Sequence, residues 1–167
     1  MSNWKSDLKV YGGYRSFLRE QSIICVALYR LGRKIERTRP ESLKKLIRIP
    51  YLILFRLFET ILGISLPEKA KIGGGLRIWH FGGIFINEGA IIGENCTLRQ
   101  GVTIGSKIAD GPSPIIGDNV DVGANSMIIG DIKIGNNVTV GAMTLVLKDV
   151  PDNAIVKGVP GVITLKQ

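Results

Sequence analysis

The chain is poor in the side chains that most enzyme chemistry needs. It has one histidine, His80, and two cysteines, Cys25 and Cys96, in 167 residues. One histidine cannot build a three-histidine zinc site. Two widely separated cysteines in apolar surroundings supply neither zinc-ligand spacing nor a disulfide framework. No metal is therefore expected, and the thiols suit a reducing, cytosolic compartment. The roughly 20 consecutive apolar residues needed to span a bilayer are also missing. The nearest candidate, Ile49 to Leu62, is shorter and contains Pro50, Arg56 and Glu59. The leading Met-Ser-Asn-Trp-Lys-Ser-Asp is polar, unlike a secretory signal. Low-complexity sequence is scarce and the hydrophobic fraction, 45%, is that of a folded chain.

Charge is present, but at one end. Residues 1–66 carry 13 Lys/Arg against 5 Asp/Glu, whereas residues 67–167 carry 9 against 9. The whole net charge of +8 thus belongs to the first part. The second part is balanced and has no basic face for nucleic acid. The basic part can face solvent or anionic lipid.

That first part, residues 1–65, reads as helical. After Gly12-Gly13, a helix is expected from Tyr14 to about Arg37, with Phe17, Ile24, Leu28 and Leu31 along one stripe. A second run from Leu43 to about Leu62 is unusually apolar, and Pro50 is expected to kink it. Such a helix either packs against its own protein or a subunit partner, or lies on a membrane surface. Burial or oligomer packing is the favoured reading.

From Ile92 onward a period of six takes over. Ile92, Leu98, Ile104, Ile116, Val122, Ile128, Ile134, Val140 and Val146 keep the spacing, with one skipped place inside Ala109–Pro114. Four residues after most of them comes a second, generally smaller residue: Cys96, Val102, Val120, Ser126, Ile132, Val138 and Thr144. Glycine, Asn and Asp cluster between, where tight turns need positive φ. No single unit can bury its aliphatic alone, so the units must stack as a solenoid. The repeat region is read as 66–150, with a loop at 107–115 and a tail at 151–167.

Run backwards, the period slips. Leu66, Ile72, Ile78 and Ile84 also step by six, but two residues out of phase with Ile86 and Ile92. A slip in a regular coil implies a bulge, and bulges redirect side chains. His80 lies in this slip. It is the one unperturbed side chain able to do acid–base work near neutral pH, although a lone histidine among aliphatics can also be a packing residue.

The segment Ala70-Lys71-Ile72-Gly73-Gly74-Gly75-Leu76-Arg77-Ile78-Trp79-His80-Phe81-Gly82-Gly83-Ile84 resembles the base-bearing coil of the hexapeptide-repeat acyltransferases. So do Ala27–Gly32 and the closing Lys148-Asp149-Val150-Pro151 through Gly158-Val159-Pro160. Within that family the chain looks most like serine acetyltransferases and their relatives in polysaccharide biosynthesis. The resemblance implies a mainly β fold, a left-handed parallel β-helix preceded by an α-helical segment. It implies a homotrimer that uses acetyl-CoA without metal; the reduced cysteines favour a cytoplasmic protein, the charge balance argues against nucleic acid, and the basic helices leave peripheral contact with an anionic membrane as a further partner reading.

By the same resemblance His80 is the general base, and Glu88 helps to hold the imidazole or the acceptor unless it is simply a solvated turn residue. Trp79, Phe81 and Asn87 are expected to contact the acceptor. Gly105, Ser106, Ala124 and Ala142 would let pantetheine lie close to the backbone, and Lys148 and Lys157 would meet coenzyme phosphates. Ser65, Trp79 and Ser113 stand where serine acetyltransferases carry two acidic residues and a second histidine. Losing them disfavours serine as acceptor, and Trp79 offers a face for a sugar ring. The expected activity is O-acetylation of a sugar hydroxyl of a bacterial polysaccharide or its precursor. Serine acetylation and a non-catalytic rod are the alternatives; no regular Thr ladder suggests an ice-binding rod.

Overall fold

The six-residue period closes into a three-faced coil in the computed structural model, which describes residues 3–166. Face A holds β1 (Ile64–Ser65), β4 (Ile84–Ile86), β7 (Thr103–Gly105), β10 (Met127–Ile129) and β13 (Leu145–Val146). Face B holds β2 (Lys71–Ile72), β5 (Ile91–Ile92), β8 (Ile115–Ile116) and β11 (Lys133–Ile134). On face C lie β3 (Arg77–Trp79), β6 (Thr97–Arg99), β9 (Asp121–Val122), β12 (Thr139–Val140), β14 (Ala154–Lys157) and β15 (Val162–Leu165). The pairings along each face are parallel until β14, where the chain folds back as antiparallel β15.

Stacking puts like on like. Ile72, Ile92, Ile116 and Ile134 form one inward column, and Ile78, Leu98, Val122 and Val140 form another. All are buried, as are the smaller second residues from Cys96 to Thr144. Each large aliphatic so buried contributes roughly 1.5–3 kcal/mol. The corner between faces B and C is held differently. Asn95, Asn119, Asn137 and Asn153 all adopt left-handed φ of 56–57°. Asn tolerates that region. Their amides bond from turn to turn at 3.2, 3.1 and 3.0 Å.

Turn length locates the slip. An uninterrupted turn takes 18 residues, as from Val122 to its partner Val140. Leu98 to Val122 takes 24, with the surplus in the loop between β7 and β8. Ile72 to Ile92 takes 20. At the corner between faces C and A, Gly83 occupies the left-handed place that Gly101, Asn125 and Met143 occupy above it. Only Gln100 separates β6 from its corner glycine, whereas His80, Phe81 and Gly82 separate β3 from Gly83. The two extra residues are therefore an insertion at the His80 corner.

The helical segment departs from expectation in three ways. A first helix, α1 (Asn3–Val10), precedes Gly12-Gly13. The helix expected from Tyr14 is instead a 3₁₀ turn, Tyr14–Leu18, and α2 starts only at Ser22, running to Glu36. Ser22 is drawn onto the coil, where its hydroxyl donates to the Ile78 carbonyl at 2.8 Å, and Glu20 turns to Arg77. The buried face of α2 is also rotated. Ile23, Val26 and Tyr29 are buried with Leu28, whereas Phe17 and Leu31 are exposed. Tyr29 sets this rotation, because its hydroxyl bonds the Ala70 carbonyl and the Ile72 N–H.

The third departure is α3 (Glu41–Leu62), one continuous helix through Pro50. Of its apolar residues only Tyr51 and Leu62 are buried, so of the two packings expected its own chain supplies little. Ion pairs from Lys44 and Arg48 to Glu36, and from Arg48 to Glu68, hold its first half to α2 and the coil. Leu46, Ile49, Ile53, Leu57 and Ile61 face outward, each more than half exposed. The coil itself begins one strand earlier and ends later than 66–150, since β1 already pairs with β4 and β14 continues face C.

Candidate active site

The helical segment is stapled to the first turn of the coil around β3, the strand that leads into the His80 corner. Asp7, fully buried, accepts from Arg30 at 2.7 and 3.1 Å and from the N–H groups of Gly75 and Leu76 at 2.8 and 3.0 Å. Arg30 continues to the carbonyls of Ile72 and Gly73. One strand on, the Ile78 N–H donates to the Tyr11 hydroxyl at 3.0 Å. Burial pushes the Tyr11 phenol above its ordinary pKa, so it stays a neutral hydrogen-bonding group. These contacts fix β3 and leave the following corner to project outward.

His80 has φ 64°, a left-handed backbone uncommon for a residue with a Cβ. It is exposed, and with Trp79 and Phe81 it borders a cavity of about 290 Å³. The opposite wall is Arg19, Glu20, Gln21 and Ser22, where the 3₁₀ turn gives way to α2. The space has aromatic surface on one side and the charged Arg19 and Glu20 on the other. Ser65 hydrogen-bonds the Glu59 carboxylate, so a carboxylate reaches the strand position from α3.

The remaining candidates fall at two edges of face A. Ala124 and Ala142 stack at the same corner as the His80 bulge, and Lys157 passes beside Gly141 there. Asn87, Glu88, Gly105, Ser106 and Lys148 lie at the other corner, between faces A and B. At that corner the Ser113 hydroxyl hydrogen-bonds Asn87 at 2.9 Å, the Ser106 hydroxyl donates to the Ile108 carbonyl, and Glu88 pairs with Lys69. One chain therefore brings Trp79, His80 and Phe81 together and carries the Asn87–Glu88 group on the other side of a sheet. The wall residues Arg19 to Ser22, and Arg77 beneath Trp79, were not singled out from sequence. A signal for Arg77 existed, since positions i and i+2 of a strand share a face.

The three-faced coil is the fold of the hexapeptide-repeat transferases, and the profile of the bacterial transferase hexapeptide family (six repeats) matches residues 113–148. The chain belongs to the hexapeptide-repeat (left-handed β-helix) acyltransferases and is an acetyltransferase. It is 45% identical over 118 residues to the protein named colanic acid biosynthesis acetyltransferase WcaB of Escherichia coli K12, covering 70% of this chain and 73% of that one. A serine acetyltransferase of Synechococcus elongatus is 39% identical over 118 residues, covering 68% of this chain and 48% of that one. The chain thus spans about half the length of that enzyme. Among solved structures, soybean serine acetyltransferase superposes with a TM-score of 0.83 at 28% identity, covering 98% of this chain and 68% of the other. The Neisseria gonorrhoeae enzyme in complex with serine gives 0.77 at 28% identity, covering 97% and 67%.

Proposed function

We propose that this acetyltransferase moves the acetyl group of acetyl-CoA to a hydroxyl of a sugar in a bacterial polysaccharide or its precursor, with His80 as general base. The observation that carries the reading is the inserted corner. Two residues added to the coil after β3 push the chain's only histidine, flanked by Trp79 and Phe81, against a cavity of about 290 Å³. The imidazole takes the acceptor's proton as its oxygen attacks the thioester carbonyl carbon. The tetrahedral adduct then expels the coenzyme thiolate, which leaves as the thiol after receiving that proton. Ester and free thiol are the products. General-base help of this kind is worth about 10²–10⁴-fold.

The similarity to a polysaccharide-pathway relative over most of both chains supports a sugar acceptor. The serine reading draws on the structural neighbours. It is weakened at Trp79 and Ser113, which carry no charge for a small zwitterion, although the Glu59 carboxylate reaches Ser65. A complete site is proposed to need two chains of a homotrimer. One would supply the His80 corner with Ala124, Ala142 and Lys157, and its neighbour the edge with Gly105, Ser106, Lys148, Asn87 and Glu88. Acetyl-CoA would then lie in the groove between neighbouring coils.

Among the described residues no helix is long and apolar enough to cross a membrane. Action on the cytoplasmic side is proposed, with the outward face of α3 covered either by the oligomer or by anionic lipid. A thiol-release assay with acetyl-CoA against nucleotide sugars, glycans and serine tests the central claim. His80→Ala is expected to lower kcat at least 100-fold with the fold intact. Full activity in that variant, or turnover with serine alone, would overturn the reading.

A further inference from the structure

Beneath Trp79 lies an arginine that hydrogen bonding does not explain. Arg77 is 8% exposed although its side chain points away from the coil core, because Tyr11, Glu20 and the start of α2 cover that face. Its guanidinium is sandwiched between two rings, 4.3 Å from the Tyr11 centroid and 4.0 Å from that of Trp79. One nitrogen, Nη2, meets the Glu20 carboxylate at 2.9 Å. The other two, Nε and Nη1, are buried with no protein acceptor. An apolar side chain would fill this space without stranding two donors, so stability alone does not favour arginine here. What the guanidinium uniquely supplies is a charged plane that stacks on both faces at once.

We propose that Arg77 is a positioning residue for the acceptor site, clamping the Trp79 indole as a one-sided platform beside His80. One indole face lies on the guanidinium. Trp79 is nonetheless 44% exposed, so the rest of the ring remains open where it borders the His80 cavity. Tyr11 backs the guanidinium and is itself bonded to the Ile78 backbone between Arg77 and Trp79. Glu20 holds the edge of the clamp and also lines the cavity, so the helical segment sets the platform's angle. An indole fixed on one face and open on the other presents a flat apolar surface, which the C–H face of a pyranose ring matches. Its hydroxyl would then be carried toward His80. This assignment rests on the proposed sugar acceptor for the ligand, but not for the clamp.

The clamp is read from Trp79 fluorescence in full-length Trp4→Phe protein, with acrylamide as quencher and methyl glucoside, galactoside and mannoside as probes. Arg77→Met is expected to increase quenching of Trp79. It is also expected to raise KM for glycoside acceptors by about 3- to 30-fold while leaving KM for acetyl-CoA unchanged. Arg77→Lys should behave like Met, because an ammonium cannot stack as a plane. Should Arg77→Met not fold, Glu20→Gln keeps the cation and is expected to loosen the indole in the same direction. Unchanged quenching in the folded variants, or full restoration by lysine, overturns the clamp whatever the acceptor is. Increased quenching with no glycoside protecting Trp79 in the Trp4→Phe parent would leave the clamp standing and remove the sugar reading.

Discussion

The coil and the helical segment bury hydrophobic surface under different rules. In the coil each aliphatic has a partner one turn away, as in the columns through Ile72, Ile78 and Ile86, and at the first turn Leu8, Ile23, Val26 and Tyr29 of the helical segment join the same buried core. The helices have no such internal partner. They attach through that shared core and through polar staples: Asp7 and Arg30 to the turn before β3, Tyr11 and Ser22 to Ile78, Tyr29 to Ala70 and Ile72. An apolar face on α3 is left uncovered. A repeat builds a rigid rod, and the staples bring a variable cap to the corner where two residues are inserted after β3. The proposed site lies at the junction, with the insertion in one part and the cavity wall in the other.

Cutting the strongest staple is the sharpest way to separate the two. Asp7→Asn keeps the side chain's shape but leaves the Arg30 guanidinium, 11% exposed, without its counter-charge. Breaking a buried pair from one side typically costs about 3–5 kcal/mol. At about 2–4 °C per kcal/mol for a chain of this size, Tm should fall by roughly 10 °C. Circular dichroism would show the helical signal lost first and the coil signal later. A single cooperative transition at the original Tm would mean that the staple carries no such load.

The contrast also explains what the sequence disclosed. The coil was legible because one inward aliphatic every six residues repeats many times, and each of Ile92, Leu98, Ile104 and their successors is buried as its place requires. The bulge was legible for the same reason, since two extra residues shift everything before them out of phase. The helical segment has no repetition to average over. At Tyr14 to Arg37 local pattern favoured one long helix, and long-range bonds from Ser22 and Tyr29 decided otherwise. The cavity wall at Arg19–Ser22 and the Arg77 stack depend on residues nearly sixty positions apart meeting, which no local pattern encodes. Similarly, nothing local said that Glu88 and His80 would lie on opposite edges of face A.

A smaller effect is expected at the corners themselves. Met143 is a regular corner residue held at φ 55° and 67% exposed, so it carries left-handed strain with little packing in return. Met143→Gly should therefore stabilise the coil by about 1 kcal/mol. Gly83 is the matching place at the bulge, with φ 68°, and an added Cβ would lie 3.3 Å from the Gly101 Cα. Gly83→Ala should cost about 1–2 kcal/mol. Chemical denaturation of the two variants checks the pair. Equal effects of the same sign would mean that the bulged and regular corners do not share one backbone geometry.

The least perturbing comparison uses the two thiols, one in each region. Burial pushes both Cys25 on α2 and Cys96 in the coil up to about 12. In the unfolded chain a thiol ionises near 8.5. Between roughly pH 8.5 and 12 the folded protein thus holds protons that the unfolded chain releases. The stability they contribute is complete below that window and falls as pH rises through it. At pH 8 neither thiol should react with iodoacetamide except through opening. Because the helical segment is held by separable staples and the coil by continuous stacking, Cys25 should be alkylated faster than Cys96. Peptide mapping of the labelled protein over time measures the two rates. If they are equal, the two regions open as one cooperative unit, and the staples bind the cap to the rod as firmly as the rod binds itself.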